Sequence, residues 1–139
     1  MTKPKLGRKK GHREHLLVNL ATALILHEKI VTTQAKAKAL KPFIERLIAK
    51  ARHKNLASRR YLLSRLDHHQ LAVKKLIEDI AERYKNQSSG FVSTVKIGQR
   101  LGDNAPQVQI SLTKKIEDVI DKKNESESKG NENSQKRSS

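Results

Sequence analysis

The spacing of apolar positions changes along the chain from a helical period to the alternation of a strand. A first helical stripe starts at Leu16, with Glu14 in the first turn, and the β-branched residues 30–33 predict a short strand. Three more helices are predicted by the stripes Leu40/Phe43/Ile44/Leu47/Ile48/Ala51, Leu56/Leu62/Leu63/Leu66 and Val73/Leu76/Ile77/Ile80/Ala81/Tyr84.

Polar and special residues indicate where these helices begin. Pro42 lies inside the second stripe and removes one backbone donor, so we expect a kink or a late start near Leu40. The candidate N-caps are Thr33 for the second helix, Asn55 or Ser58 for the third, and Asp67, in a capping box with Gln70, for the fourth.

Alternation begins after a turn cluster at residues 86–90. Val95 and Ile97 alternate with polar neighbours, and so do Val108, Ile110 and Leu112, with a strong turn signal at residues 102–104 between the two runs. The order α-β-α-α-α-β-β predicts an α+β domain of two layers. We divide the chain into a basic arm (1–13), this domain (14–114) and a low-complexity, largely disordered tail (115–139).

The net charge of the chain predicts that the domain binds a polyanion. The 139 residues include 30 Lys and Arg against 14 Asp and Glu, a net charge of +16, most of it within residues 1–112. Nucleic acid is the commonest partner of such a chain, and with 3% aromatic residues and no Trp we expect contacts to phosphate rather than base stacking. With no apolar run of membrane-spanning length and no signal peptide, we expect a soluble, cytoplasmic protein without membrane contact.

Basic residues form four clusters. The arm is the clearest, because it contains no acid and each phosphate contact of its cations would release counterions. It has too little apolar surface to order itself, so we expect residues 1–13 to be extended. Its cations are Lys3, Lys5, Arg8, Lys9, Lys10 and Arg13, and the other clusters are Lys36/Lys38/Lys41, Arg59/Arg60 and Lys96/Arg100.

Catalytic patterns are missing from the sequence. His27-Glu28 lacks the second histidine of a zinc-protease helix, and the adjacent His68 and His69 point about 100° apart on a helix. No cysteine, phosphate-binding loop or nucleophile elbow occurs. We therefore expect no enzyme, cofactor, metal site or small-molecule substrate.

Several motifs together resemble the large-subunit ribosomal protein seventeen family (the L-seventeen family) of bacteria and organelles. The resemblance covers residues 5–112, and its most specific parts are the block 27–40 and the segment 100–106. The motifs are Leu6-Gly7-Arg8, His12-Arg13, Asn19-Leu20, His27-Glu28-Lys29-Ile30-Val31-Thr32-Thr33, Lys36-Ala37-Lys38-Ala39-Leu40, Arg59-Arg60, Lys96-Ile97-Gly98 and Arg100-Leu101-Gly102-Asp103-Asn104-Ala105-Pro106.

The resemblance implies a structural protein of the large ribosomal subunit. It implies binding to ribosomal RNA near the outer end of the peptide exit tunnel, beside other large-subunit proteins, with a role in subunit assembly and translation. We expect no homo-oligomer. The implied RNA contacts are Arg8, His12, Arg13, Thr32, Thr33, Lys36, Lys38, Arg59, Arg60, Lys96 and Arg100. Val18 and Ser93 stand where relatives often carry arginine, so neither is counted as a contact.

Two other functions would fit parts of the sequence. A DNA-compacting protein shares the charge and the arm, but no helix-turn-helix or intercalating wedge is recognisable. A small hydrolase would require a site that these motifs do not supply, and stoichiometric zinc would be the sign of one.

Overall fold

The computed structural model describes residues 4–114, so the arm residue Lys3 and the predicted tail 115–139 lie outside the described residues. Helices and one antiparallel sheet make up this part of the chain, which confirms the α+β prediction. The elements are α1 (Lys10–His27), β1 (Lys29–Thr33), α2 (Gln34–Ala51), α3 (Leu56–Arg65), α4 (Gln70–Lys75), a π-helical turn (Leu76–Ile80) leading into α5 (Ala81–Arg83), β2 (Val92–Gln99) and β3 (Pro106–Leu112).

The sheet has the strand order β1-β3-β2, with β3 in the middle and antiparallel to both neighbours. Val108, Ile110 and Leu112 of β3 are buried, because side chains alternate along a strand and this set faces the helices. On the opposite face, Val31 and Val95 flank Gln109 and are each 55% exposed. One face of the sheet is therefore covered by helices, and the other is open.

The core lies between the sheet and the helices. α1 and α2 pack on the sheet, whereas α3 packs on α2 and α4, and the helical segment 70–83 packs on both α1 and α2. The helix stripes read from the sequence supply most of this core, including the fully buried Leu40, Ile44, Leu62 and Leu76. Tyr84 is also fully buried, meets Phe91 edge to face at 5.2 Å, and donates its hydroxyl to the Phe91 carbonyl.

The start of α1 differs from the prediction. The helix begins at Lys10, so the expectation of an extended chain over residues 10–13 is wrong. Leu6 and Gly7 both have positive φ angles and form a turn, after which Arg13 donates its backbone N–H to the Lys9 carbonyl at 3.0 Å. Lysine and arginine are good helix formers, so a stretch with little to bury can still extend a helix that is packed further along.

The starts of α2 and α3 differ in whether a side chain caps them. α2 starts at Gln34 and continues through Pro42, so the late start is wrong; Thr33 occupies the N-cap position, but its hydroxyl makes no capping bond. Asn55 caps α3, since its side chain accepts a hydrogen bond from the Ser58 backbone N–H at 2.7 Å.

The predicted capping box before α4 does not form. The N-cap position is taken by His69 without a side-chain bond, and Asp67 has a left-handed φ of 45°. Its carboxylate instead accepts a hydrogen bond from His15 Nδ1 at 2.9 Å and so joins the first half of α1 to the α3–α4 turn.

A buried arginine connects the end of α1 with the end of the sheet. The side chain of Arg83 is 3% exposed and donates to both carboxylate oxygens of Glu28 at 2.7 and 2.9 Å, and to both of Asp79 at 2.6 and 2.8 Å. It also donates to the Lys114 carbonyl at 3.1 Å, and Lys75 reaches Glu28 at 3.2 Å. Burial opposes the charge of Arg83, but the two carboxylates outweigh it and raise its pKa.

Candidate nucleic-acid interface

The first cluster of cations surrounds the start of α1. The Arg8 guanidinium donates to the Leu6 carbonyl at 2.9 Å, which closes the turn before the helix. Most cations here are exposed, Arg13 is half-buried, and no carboxylate occurs between residues 4 and 13. The predicted contact residues in this cluster are Lys5, Arg8, Lys9, Lys10, His12 and Arg13. They form one cationic surface, which extends from the chain reversal at Leu6 and Gly7 to the start of α1.

The second cluster lies at one end of the sheet. Thr32 and Thr33 end β1, and the chain passes directly into α2, which presents Lys36 and Lys38 in its first turns. Thr32 and Lys96 both pair with Val108, on opposite sides of the middle strand. Because neighbouring strands are about 4.8 Å apart, these two residues lie on the order of 10 Å from each other. The structure therefore brings together residues that are more than sixty positions apart in the sequence.

The third cluster is on α3, where Arg59 and Arg60 are both exposed. Arg59 lines an open cleft with Lys54 and Lys74, two cations that were not predicted from the sequence to contact RNA. Lys54 forms an exposed ion pair with Glu82. No sequence signal marks Lys74 as a neighbour of Arg59, because the two residues meet only through the packing of α3 against α4.

Arg100 differs from the other predicted contacts, because it is already paired within the hairpin. Its Nε and Nη2 donate to the two carboxylate oxygens of Asp103 at 3.1 and 2.5 Å. The hydrogen bonds from Arg100, helped by the Ala105 N–H, lower the pKa of Asp103 to about 2, so the pair is ionic near neutral pH. Half of each side chain remains exposed.

Two positions that were set aside as non-contacts have unremarkable surroundings. Val18 is half-buried in α1, and Ser93 is exposed in β2.

Within residues 4–114, no group of three His, Asp or Glu side chains is placed to hold a metal ion. In the same range, no helix is long and apolar enough to cross a membrane.

The clusters define the class of protein. It is a small α+β domain whose exposed cations are spread over three surfaces, and its described residues contain no assembled metal site. The family model of ribosomal protein L17 matches residues 16–113, and the chain belongs to that family.

Individual relatives agree with the family model over nearly the same length. The chain is 44% identical over 115 residues to a protein of Erythrobacter litoralis, covering 83% of this chain and 81% of the relative. It is 47% identical over 111 residues to one of Neorickettsia sennetsu, covering 79% and 94%. A protein of Wolbachia pipientis is 46% identical over 111 residues, covering 79% and 78%. All three relatives are named large ribosomal subunit protein bL17.

Proposed function

We propose that this protein is a structural constituent of the large ribosomal subunit that binds ribosomal RNA through phosphate contacts. Family membership supports the structural, non-enzymatic role in the ribosome. The observation that carries the RNA contacts is the presence of three separate exposed cation clusters, two of which contain no carboxylate. Such an arrangement repels itself in isolation and is relieved by phosphates on several sides.

The phosphate-contacting residues that we propose are those of the three clusters. Helix-borne lysines act as point charges, whereas Arg59 and Arg60 present planar guanidinium groups that bind phosphate with two parallel hydrogen bonds. Thr32 and Thr33 add hydroxyl donors for phosphate or 2′-hydroxyl groups at the sheet end. Recognition then depends on the shape of the RNA more than on base edges, since the chain has few aromatic residues.

The location and partners within the ribosome are part of the same proposal. Relatives named as large-subunit proteins and the family resemblance support a place in the cytoplasmic ribosome, beside other large-subunit proteins and near the outer end of the peptide exit tunnel. The protein then supports subunit assembly and translation as a monomer bound to RNA, with neither cofactor nor small-molecule substrate.

Sedimentation of a cell lysate tests the proposal. We expect the protein to migrate with large subunits and to remain with them after washing at high salt, which removes proteins held only by non-specific phosphate contacts. Recovery with the nucleoid instead would support a DNA-compacting protein and refute the proposal. A deproteinised large-subunit RNA that does not bind the purified protein at moderate salt would also contradict it.

Replacing both arginines of α3 separates binding from stability. For Arg59→Ala/Arg60→Ala we expect RNA affinity to fall by about tenfold or more while the melting temperature stays unchanged, since both side chains are exposed. Filter binding at several salt concentrations and thermal unfolding measure the two effects. The matched variant Arg59→Lys/Arg60→Lys keeps the charge but not the paired hydrogen bonds, so only part of the affinity should return. A large drop in melting temperature would instead give the arginines a structural role.

A further inference from the structure

The β2–β3 hairpin extends beyond the helices that cover the rest of the sheet. In β2, Val92 is buried and every later residue is exposed, because the strand packs almost wholly against β3. At the tip, the side chain of Leu101 is 99% exposed, more than any other large apolar residue described. An isolated exposed leucine is common on protein surfaces, so Leu101 becomes a candidate contact only through the hydrogen-bonded turn that carries it and the cations near the hairpin.

Hydrogen bonds hold the turn at the tip of the hairpin, although the tip projects beyond the helices. The Arg100 N–H donates to the Ala105 carbonyl at 2.9 Å, and the Asn104 N–H donates to the Arg100 carbonyl at 3.0 Å. Asp103 joins the two sides of the turn, since its carboxylate accepts from the Arg100 guanidinium and from the Ala105 N–H at 3.3 Å. Gly102 at φ 103° and Asn104 at φ 55° supply the left-handed conformations that the turn requires. The hydrogen bonds hold the backbone of the turn that carries Leu101, which reduces the backbone entropy lost on binding.

The charge around the hairpin is complementary to a polyanion. Asp103 is the sole carboxylate of the hairpin, and Arg100 neutralises it. Lys96 remains without a paired carboxylate in the described structure, and no acidic residue occurs between residues 29 and 44 of the adjoining β1 and α2. The start of α2 follows Thr33, which pairs with Gln107 at the tip end of β3, and it adds the cations Lys36, Lys38 and Lys41.

We infer that the hairpin tip is an RNA-insertion element in which Leu101 packs against sugar or base faces and Arg100 positions the loop. The inference rests on the proposed ribosomal RNA binding and adds an apolar contact to it. The wide, shallow minor groove of an RNA helix and the unstacked bases of loops both offer such faces beside a phosphate backbone, which the exposed Lys96 of the same hairpin can contact. Arg100 then acts through the turn that it stabilises and is not itself a phosphate ligand.

Removal of the leucine side chain gives the first test. With deproteinised large-subunit ribosomal RNA as the probe, we expect Leu101→Ser to weaken binding by about tenfold, because the burial of one leucine is lost. The slope of log affinity against log salt should not change, since no phosphate contact is removed. Leu71→Ser is the matched control: Leu71 is 70% exposed on α4, and its replacement should leave affinity unchanged.

The outcomes of this test are distinct. Equal affinity of Leu101→Ser and the parent protein would overturn the insertion while leaving the proposed function intact. Failure of the parent protein to bind the RNA would refute the proposed function itself. If Leu101→Ser bound RNA normally but failed to enter large subunits, the tip would contact a protein, and the inference would be wrong.

A charge-neutral double variant tests the role of Arg100. Arg100→Ala/Asp103→Ala removes the ion pair without changing net charge. The salt slope of RNA binding then distinguishes whether Arg100 contacts phosphate or only positions the loop. For a positioning residue we expect weaker binding with an unchanged salt slope. A slope reduced by about one would show that Arg100 contacts phosphate and would refute this part of the inference. Thermal unfolding should remain that of the parent protein, because the tip lies outside the core.

Discussion

Arg83→Met is expected to lower the free energy of unfolding by about 3 kcal/mol, the largest stability effect that we foresee for one side chain. The substitution keeps the volume of the aliphatic stem but leaves the carboxylates of Glu28 and Asp79 without their shared partner. We choose the lower end of the usual range because Lys75 still reaches Glu28 and Asp79 is 38% exposed to water. Denaturant unfolding monitored by circular dichroism measures the change.

The matched control is the other arginine that is paired with an aspartate. Arg100 makes a similar bidentate ion pair with Asp103, but half of each side chain is exposed. Arg100→Met should therefore leave the free energy of unfolding nearly unchanged, because solvent screens an exposed pair. Equal effects of the two substitutions would contradict the structural role assigned to Arg83.

Acid should remove part of the difference between Arg83→Met and the parent protein. Hydrogen bonds from Arg83 lower the pKa of Glu28 below its ordinary value of 4.5, although burial opposes the shift. A carboxylate with a depressed folded-state pKa contributes its full stability above the unfolded-state value and loses it as the pH falls through the folded-state value. The stability advantage of the parent protein should therefore be greatest near neutral pH and shrink below about pH 4.5. A constant advantage down to pH 2 would argue against the ion pair as its source.

Deletion of residues 1–9 is expected to have the largest effect on RNA binding. It removes Lys3, Lys5, Arg8 and Lys9 and stops before α1, which begins at Lys10. If all four cations contact phosphate, the salt slope should fall by about three and affinity near physiological salt by roughly two orders of magnitude. The melting temperature should change little, because the described residues 4–9 contribute none of the buried core.

A variant of full length separates charge from chain length in that experiment. Replacement of the same four cations with glutamine should reproduce the loss of affinity and the smaller salt slope. If deletion weakens binding but the glutamine variant does not, the backbone of the arm makes the contact and its charge is irrelevant. An unchanged slope in both variants would remove the arm from the interface.

The part of the fold that depends on local patterns could be predicted from the sequence. Apolar residues at helical spacing, such as Leu40, Ile44 and Leu76, are buried where the stripes placed them, because only one face of each helix meets the core. Alternation likewise predicted the burial of Val108 and Ile110, but it gave no reason to expect Val95 to be half exposed. That outcome follows from the packing of the sheet, since Val95 lies beside Gln109 on the face that no helix covers.

Helix starts were predicted less well, because their signals compete. Asn55 and Ser58 were both candidate N-caps for α3, and Asn55 is the one that caps it. Asp67 was the candidate N-cap for α4, but its carboxylate accepts a hydrogen bond from His15 instead. A capping carboxylate can be drawn away by any donor that packing brings near, and the donor here is fifty-two positions away in the sequence. The resemblance to the L-seventeen family, by contrast, was confirmed by the family model and by the relatives.

The sequence by itself determined the net charge, which predicts a polyanionic partner, and most of the helix and strand pattern, because charge and periodicity are properties of the chain before it folds. Only the tertiary structure decided which charges are available to a partner. Arg83 and Arg100 are equally cationic in the sequence, yet one is buried between two carboxylates and the other is paired across a turn. Lys96 and Thr32 come within about 10 Å of each other only because both of their strands pair with β3. Pairing and proximity over such separations depend on packing, which local sequence does not specify.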